Sequence, residues 1–135
     1  MTEDAFRYIE QDNYAKALEI LSRLEPDFNV RLGLVACYFD KFSDTHEMSD
    51  LDLAINNCKE ANKLFSEHFD IHFTLAQCYA TKYFMLLDPQ FKQLAIDEYE
   101  ESKKYVNRPG SDPAELEARI DALLQEIKDE IGMWN

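Results

Sequence analysis

The chain has 135 residues, enough for one domain with a modest core and too few for a second independent one. Apolar residues make up 46% of it and only 3 Gly and 4 Pro interrupt it, which excludes a disordered chain and favours long unbroken elements. The balance of 14 basic against 27 acidic residues gives a net charge of −13; this repels phosphate backbones and anionic lipid, so no nucleic acid and no membrane is expected as partner, and a basic protein segment suits the charge better.

The N-terminal segment begins Met-Thr-Glu-Asp, acidic where a secretory leader is basic, so no leader is expected. Residues 4–10 read as a short helix with Ala5, Phe6 and Ile9 inward. Gln11-Asp12-Asn13-Tyr14 turns the chain into a second helix carrying Ala17, Leu18, Leu21 and Leu24, which Pro26 ends. The pair makes a short first hairpin, about residues 4–25.

A repeat follows. Residues 30–41, VRLGLVACYFDK, align with residues 71–82, IHFTLAQCYATK, at an offset of 41, which sets Leu34 on Leu75, Cys37 on Cys78, Tyr38 on Tyr79 and Lys41 on Lys82. The same offset later sets Leu53-Ala54-Ile55 on Leu94-Ala95-Ile96 and Lys63 on Lys104. Each copy divides into two amphipathic helices. Val30, Leu34, Cys37 and Tyr38 mark one inward stripe, and Ala54, Cys58 and Ala61 the other; Ile71, Leu75, Cys78 and Tyr79, with Ala95, Tyr99 and Ser102, repeat them. Ser43-Asp44-Thr45 through Ser49-Asp50 reads as the turn in the first copy, and Asp88-Pro89-Gln90 in the second. Two further hairpins, at 28–66 and 68–107, result.

Pro109-Gly110-Ser111-Asp112-Pro113 is a break. Asp112 then serves as N-cap, Pro113 takes the first helical position and Glu115 completes a capping box. The final helix, 112–134, carries Leu116, Ile120, Leu123, Leu124, Ile127, Ile131 and Trp134 on one stripe and is expected to cap the last hairpin. The apolar run Tyr83 to Leu87, whose counterpart Phe42 to His46 is polar, is expected to lie beneath it, the alternative being an interaction patch.

These units resemble the tetratricopeptide repeat, with Leu34, Val35, Tyr38, Ala54, Cys58 and Ala61 in one copy and Leu75, Ala76, Tyr79, Ala95, Tyr99 and Ser102 in the other at the family's marker places. Arg31 and His72 stand where the family has Trp. Tyr38 to Ala54 and Tyr79 to Ala95 each span 16 residues, against about nine in the usual repeat of roughly 34. The excess is close to two helical turns, one per arm. The resemblance implies an all-α fold of three αα-hairpins in a solenoid over residues 1–135, with a capping helix. It also implies a concave groove for a partner peptide or amphipathic helix, lined by Asn29, Leu32, Ala36 and Phe39 from one unit and by Asp70, Phe73, Gln77, Ala80 and Phe84 from the next. An adaptor follows as the expected function. The alternatives are a small acidic secretion chaperone, or a structural subunit that self-associates through the C-terminal helix, Leu116 to Trp134, or through the tip Tyr83 to Leu87. The groove lacks the Lys and Arg set with which some members grip acidic chaperone tails.

Chemistry is sparsely represented. His68 and His72 lie four apart without a third ligand at suitable spacing, so no metal is expected there. Three cysteines with no C-x-x-C pair read as reduced thiols in a cytoplasmic setting. No phosphate loop and no nucleophile motif occurs, so neither a cofactor nor an enzyme is expected.

Overall fold

The computed structural model describes residues 2–25 and 27–129. Seven α-helices account for most of these residues, and no strand occurs among them: α1 (Thr2–Glu10), α2 (Tyr14–Ser22), α3 (Phe28–Thr45), α4 (Met48–Leu64), α5 (Phe69–Leu86), α6 (Pro89–Ser102) and α7 (Pro113–Asp129). A 3-10 turn, Lys103–Tyr105, extends α6. The fold is all-α. The described residues form two compact units, with the boundary between Phe65 and Ser66.

The offset of 41 reappears in the helix boundaries. Phe28 and Phe69 open equivalent 18-residue helices, Thr45 and Leu86 close them, and Met48 and Pro89 open their partners. At 1.5 Å per residue α3 and α5 are about 27 Å long, whereas α1 and α2 have nine residues each. The starts obey capping chemistry. Asn13 accepts from the Lys16 N–H, Asp27 from Val30, Asp88 from Gln90 and Asp112 from Ala114, each satisfying one of the amide donors that a helix start leaves without a carbonyl.

The turn after α3 is tighter than the sequence suggests. Only His46 and Glu47 separate α3 from α4, and Ser43, Asp44 and Thr45 belong to the helix. Their breaker character is absorbed locally: the Ser43 hydroxyl donates to the Phe39 carbonyl and the Thr45 hydroxyl to buried Asp50. His46 and its repeat equivalent Leu87 both close their helices in the left-handed region, at φ 58° and 59°, with their N–H groups donating to Phe42 O and Tyr83 O. A residue with a side chain pays about 1–2 kcal/mol for that conformation.

In the first unit α1 packs with α2, α3 with α4, and α3 also rests on α1 and α2. Ala5, Leu21 and Val30 form one cluster with Ile20, Leu24 and Leu34 around it; Ile9, Ala17 and Cys37 form another, flanked by Tyr8, Tyr14, Leu18 and Ala36. Phe6, expected inward, is 37% exposed and sets its ring tip beside Gly33 of α3, 3.7 Å from where a Cβ would stand there. Gly33 is what permits the close approach of α2, because a Cβ there would lie 3.0 Å from the Leu21 Cδ2. Along α3–α4, Ala54, Cys58 and Ala61 are fully buried, small enough to let the two backbones draw together.

In the second unit α5 packs with α6 through Ile71, Leu75, Cys78 and Tyr79 against Ala95, Tyr99 and Ser102. The stripe on α7 buries Ile120, Leu124 and Ile127 and docks on α6 and the 3-10 turn. Ile131 and Trp134, the end of that stripe, lie outside the described residues. The expected cover of the apolar tip is not seen. Tyr83 is buried, yet Met85, Leu86 and Leu87 are 41%, 50% and 51% exposed, because α7 lays its described stripe on α6 instead.

Candidate functional site

The nine residues expected to line a groove fall on two helices, one in each unit. On α3, Asn29 is exposed and Leu32, Ala36 and Phe39 are half-buried. They recur at three- and four-residue steps and so share one side of the helix. Ala36 leans on the cluster of Ile9, Ala17 and Cys37, and the Phe39 ring stands 6.4 Å from that of buried Phe42. The core thus steadies this strip from beneath while leaving part of it in contact with solvent.

On α5 the equivalent positions are used differently. Phe73 stands where Leu32 stands in the first copy, but it is 8% exposed: it stacks on Phe69 at 5.1 Å, meets Tyr99 edge-on at 5.7 Å and lies under the Arg119 guanidinium of α7 at 5.2 Å. Its ring belongs to the core of the second unit. Ala80 is also buried; Gln77 and Phe84 are half-buried, and Asp70 is bound at 2.5 Å by Arg108. The α5 residues nearest the unit's core therefore offer little apolar surface, and the α3 strip offers more.

Beside that strip lies a group of carboxylates that sequence reasoning missed. Tyr14 donates its hydroxyl to Asp44 at 2.6 Å, with Asp12 at 3.1 Å and the Asp40 carbonyl at 3.3 Å. Burial first, and then these anions, hold the Tyr14 hydroxyl well above the usual phenol range. Partial burial, reinforced by Asp12 and Asp44, likewise raises the Asp40 carboxyl. Among the described residues no Lys or Arg pairs with any of the three, whereas Asp4, Glu19, Asp50, Glu60, Asp70, Glu101 and Asp121 all find a cation. The only trace in the sequence is Asp40 and Asp44 one helical turn apart; Asp12 and Tyr14 reach them across 26 or more residues.

The two histidines separate. His72 is buried, its Nδ1 2.7 Å from Glu98 and its Nε2 2.6 Å from the Ser66 carbonyl, with Tyr105 stacked on the ring at 5.5 Å. Both nitrogens are engaged by hydrogen-bond partners within the unit, which leaves neither facing an open position. Among the described residues no group of three or more His, Cys, Asp or Glu is arranged to hold one. Cys37, Cys58 and Cys78 are buried thiols, and burial pushes Cys37 up to about 11. No described helix is long and apolar enough to cross a membrane. Comparison of the chain with protein families, with curated proteins and with solved structures finds no match in any of the three.

Proposed function

We propose that this chain is a protein-binding module that holds an extended peptide or an amphipathic helix against the outer face of α3. The observation that carries the reading is the strip Leu32, Ala36 and Phe39, apolar, half-exposed and fixed from beneath by the packed clusters of the first unit. A rigid apolar strip on a helix can take side chains spaced at i, i+3 or i+4, and i+7 from a partner. The neighbouring Asp12, Asp40 and Asp44 favour a partner that brings basic residues, as does the net charge. The resemblance to the tetratricopeptide repeat supports the same reading, as an adaptor or as a small acidic chaperone for exported cargo, and the buried thiols suit a cytoplasmic setting.

The test is recovery of bound protein from the native cell by the full chain, followed by a direct binding measurement with the recovered partner. Phe39→Ser should weaken that binding at least tenfold with the helical circular dichroism unchanged. Equal binding by wild type and variant would refute the assignment to α3. Phe73 is unsuited to this experiment, because a polar residue there would open the core of the second unit.

A self-associating subunit is the second reading, favoured by the exposed Met85, Leu86 and Leu87.

A further inference from the structure

The repeat sets a basic side chain at one position in both copies. At the offset of 41, Arg31 of α3 matches His72 of α5, and the Lys63–Glu60 pair, 2.9 Å, matches the Lys104–Glu101 pair, 2.8 Å. Glu60 is held below the usual carboxylate range first by its bond from Lys63, with Arg31 adding to the effect. Glu101 is held down first by its bond from Lys104, with His72 and the Tyr105 hydroxyl adding to it. Arg31 fills its place with a permanent charge. In the second unit the same place is filled by a side chain that is charged only when it carries a second proton.

The surroundings of His72 call for that proton. The buried ring sets Nδ1 2.7 Å from Glu98 and Nε2 2.6 Å from the Ser66 carbonyl. A carbonyl oxygen and a carboxylate only accept, whereas a neutral imidazole has one N–H to give and turns a lone pair on the other partner. One more proton on the pair satisfies both contacts, and two carboxylates close by, Glu98 and Glu101, favour it on the ring. Asn57, the first-copy counterpart of Glu98, is a neutral amide that donates to the Leu53 carbonyl, so the extra carboxylate comes with the histidine. The remaining ionisable groups about the ring are Tyr105, stacked on it, and His68 one turn earlier on α5. Asp70 is taken by Arg108, and Glu67, in the turn before α5, is exposed.

We infer that His72 is a proton-operated latch: at neutral pH its imidazolium ties the Ser66 carbonyl, at the entry to α5, to Glu98 of α6, and the latch opens as the pH rises. The 3-10 turn, whose Tyr105 stacks on the ring, is part of the seat of α7, so the latch also bears on how firmly α7 is held. The unfolded chain gives up this proton through the ordinary imidazole range, at about 6.5, while the folded unit keeps it. The latch is therefore complete below that range. Above it the contribution declines, by at most about tenfold in the opening equilibrium per pH unit, because one proton is released on opening.

Nitrogen spectra of the full chain with isotope-labelled histidine test this directly: at about pH 7.5, His72 should show two N–H groups. Glu98→Gln supplies the hydrogen itself, because its amide can donate to Nδ1 while the Nε2–H serves Ser66. In that variant the ring should show one N–H, held by a weaker neutral bond. Opening of α5 and α6, read from amide exchange corrected for base catalysis, should rise several-fold in the wild type between about pH 6.5 and about 8.5. In Glu98→Gln it should change less than about twofold over the same range. The amides of α3 and α4, where Arg31 keeps its charge, should show no such rise in either protein. A single N–H on His72 in the wild type, or a pH slope that survives Glu98→Gln, would overturn the latch. The wild-type spectrum decides the matter even where the variant unfolds.

Discussion

Replacing His72 with alanine removes a ring that makes two short hydrogen bonds inside the second unit. The imidazole is 6% exposed and its Glu98 partner 22%. For both bonds to exist the ring must carry two N–H groups, or Glu98 must carry the proton. Without the ring, the Glu98 carboxylate and the Ser66 carbonyl both lose their partner, and Tyr105 loses the surface it stacks on. Leaving a buried polar group without its hydrogen-bond partner costs about 1–3 kcal/mol; with two groups so left and Glu98 retaining some access to water, a loss of about 3 kcal/mol applies. That is a large part of the roughly 5–15 kcal/mol that stabilises a domain. Amide hydrogen exchange reads it locally, since α5 and α6 can be followed apart from α3 and α4. Exchange of the α5 and α6 core amides should accelerate about a hundredfold, each 1.4 kcal/mol being a factor of ten. A double-mutant cycle with Glu98→Gln should give a coupling of at least about 1 kcal/mol. Acceleration below about tenfold, or a coupling near zero, would refute the argument that this ring ties α6 to the start of the unit.

Other outcomes follow from the same structure. Gly33→Ala gains about 1 kcal/mol of helix propensity but crowds fully buried Leu21, at about 1–3 kcal/mol, so the urea midpoint should fall; a rise would mean that Leu21 has room to turn. The raised Cys37 thiol makes stability decline with alkalinity: above about pH 9 the unfolded chain releases a proton that the folded chain keeps until about 11, so the contribution is complete below that window and lost across it. Cys37→Ala should flatten the fall in urea midpoint between pH 9 and 11, and iodoacetamide should leave Cys37 unmodified in the native protein at pH 8. Asp40→Asn should raise the midpoint at neutral pH, since burial and the adjacent Asp12 and Asp44 work against its charge, and the gain should shrink in 1 M salt.

Much of the architecture was legible in the residues alone. The offset of 41 located two equivalent helix pairs, and the stripes through Val30 and Cys37, Ala54 and Ala61, and Ile120 and Ile127 named core residues correctly. Local rules suffice there, because helix periodicity and capping depend on residues within one or two turns. The turn at His46 and Glu47 was misplaced because Ser43, Asp44 and Thr45 look like helix breakers until distant or backbone partners satisfy them. The tip Met85 to Leu87 was misjudged for a related reason, since apolarity says nothing about whether a neighbour is present to cover it.

The candidate site divides along the same line. Sequence spacing determined that Leu32, Ala36 and Phe39 share one side of a helix, and that Phe73 occupies the corresponding place one repeat later. Only the tertiary structure decided that Leu32 stays half-exposed while Phe73 is enclosed by Phe69, Tyr99 and Arg119. It alone brought Asp12 and Tyr14 of one hairpin to Asp40 and Asp44 of the next, and stood His72 between Glu98 and the Ser66 carbonyl. Periodicity tells which side of a helix a residue occupies; burial and charge depend on what another helix, far off in the chain, sets against it.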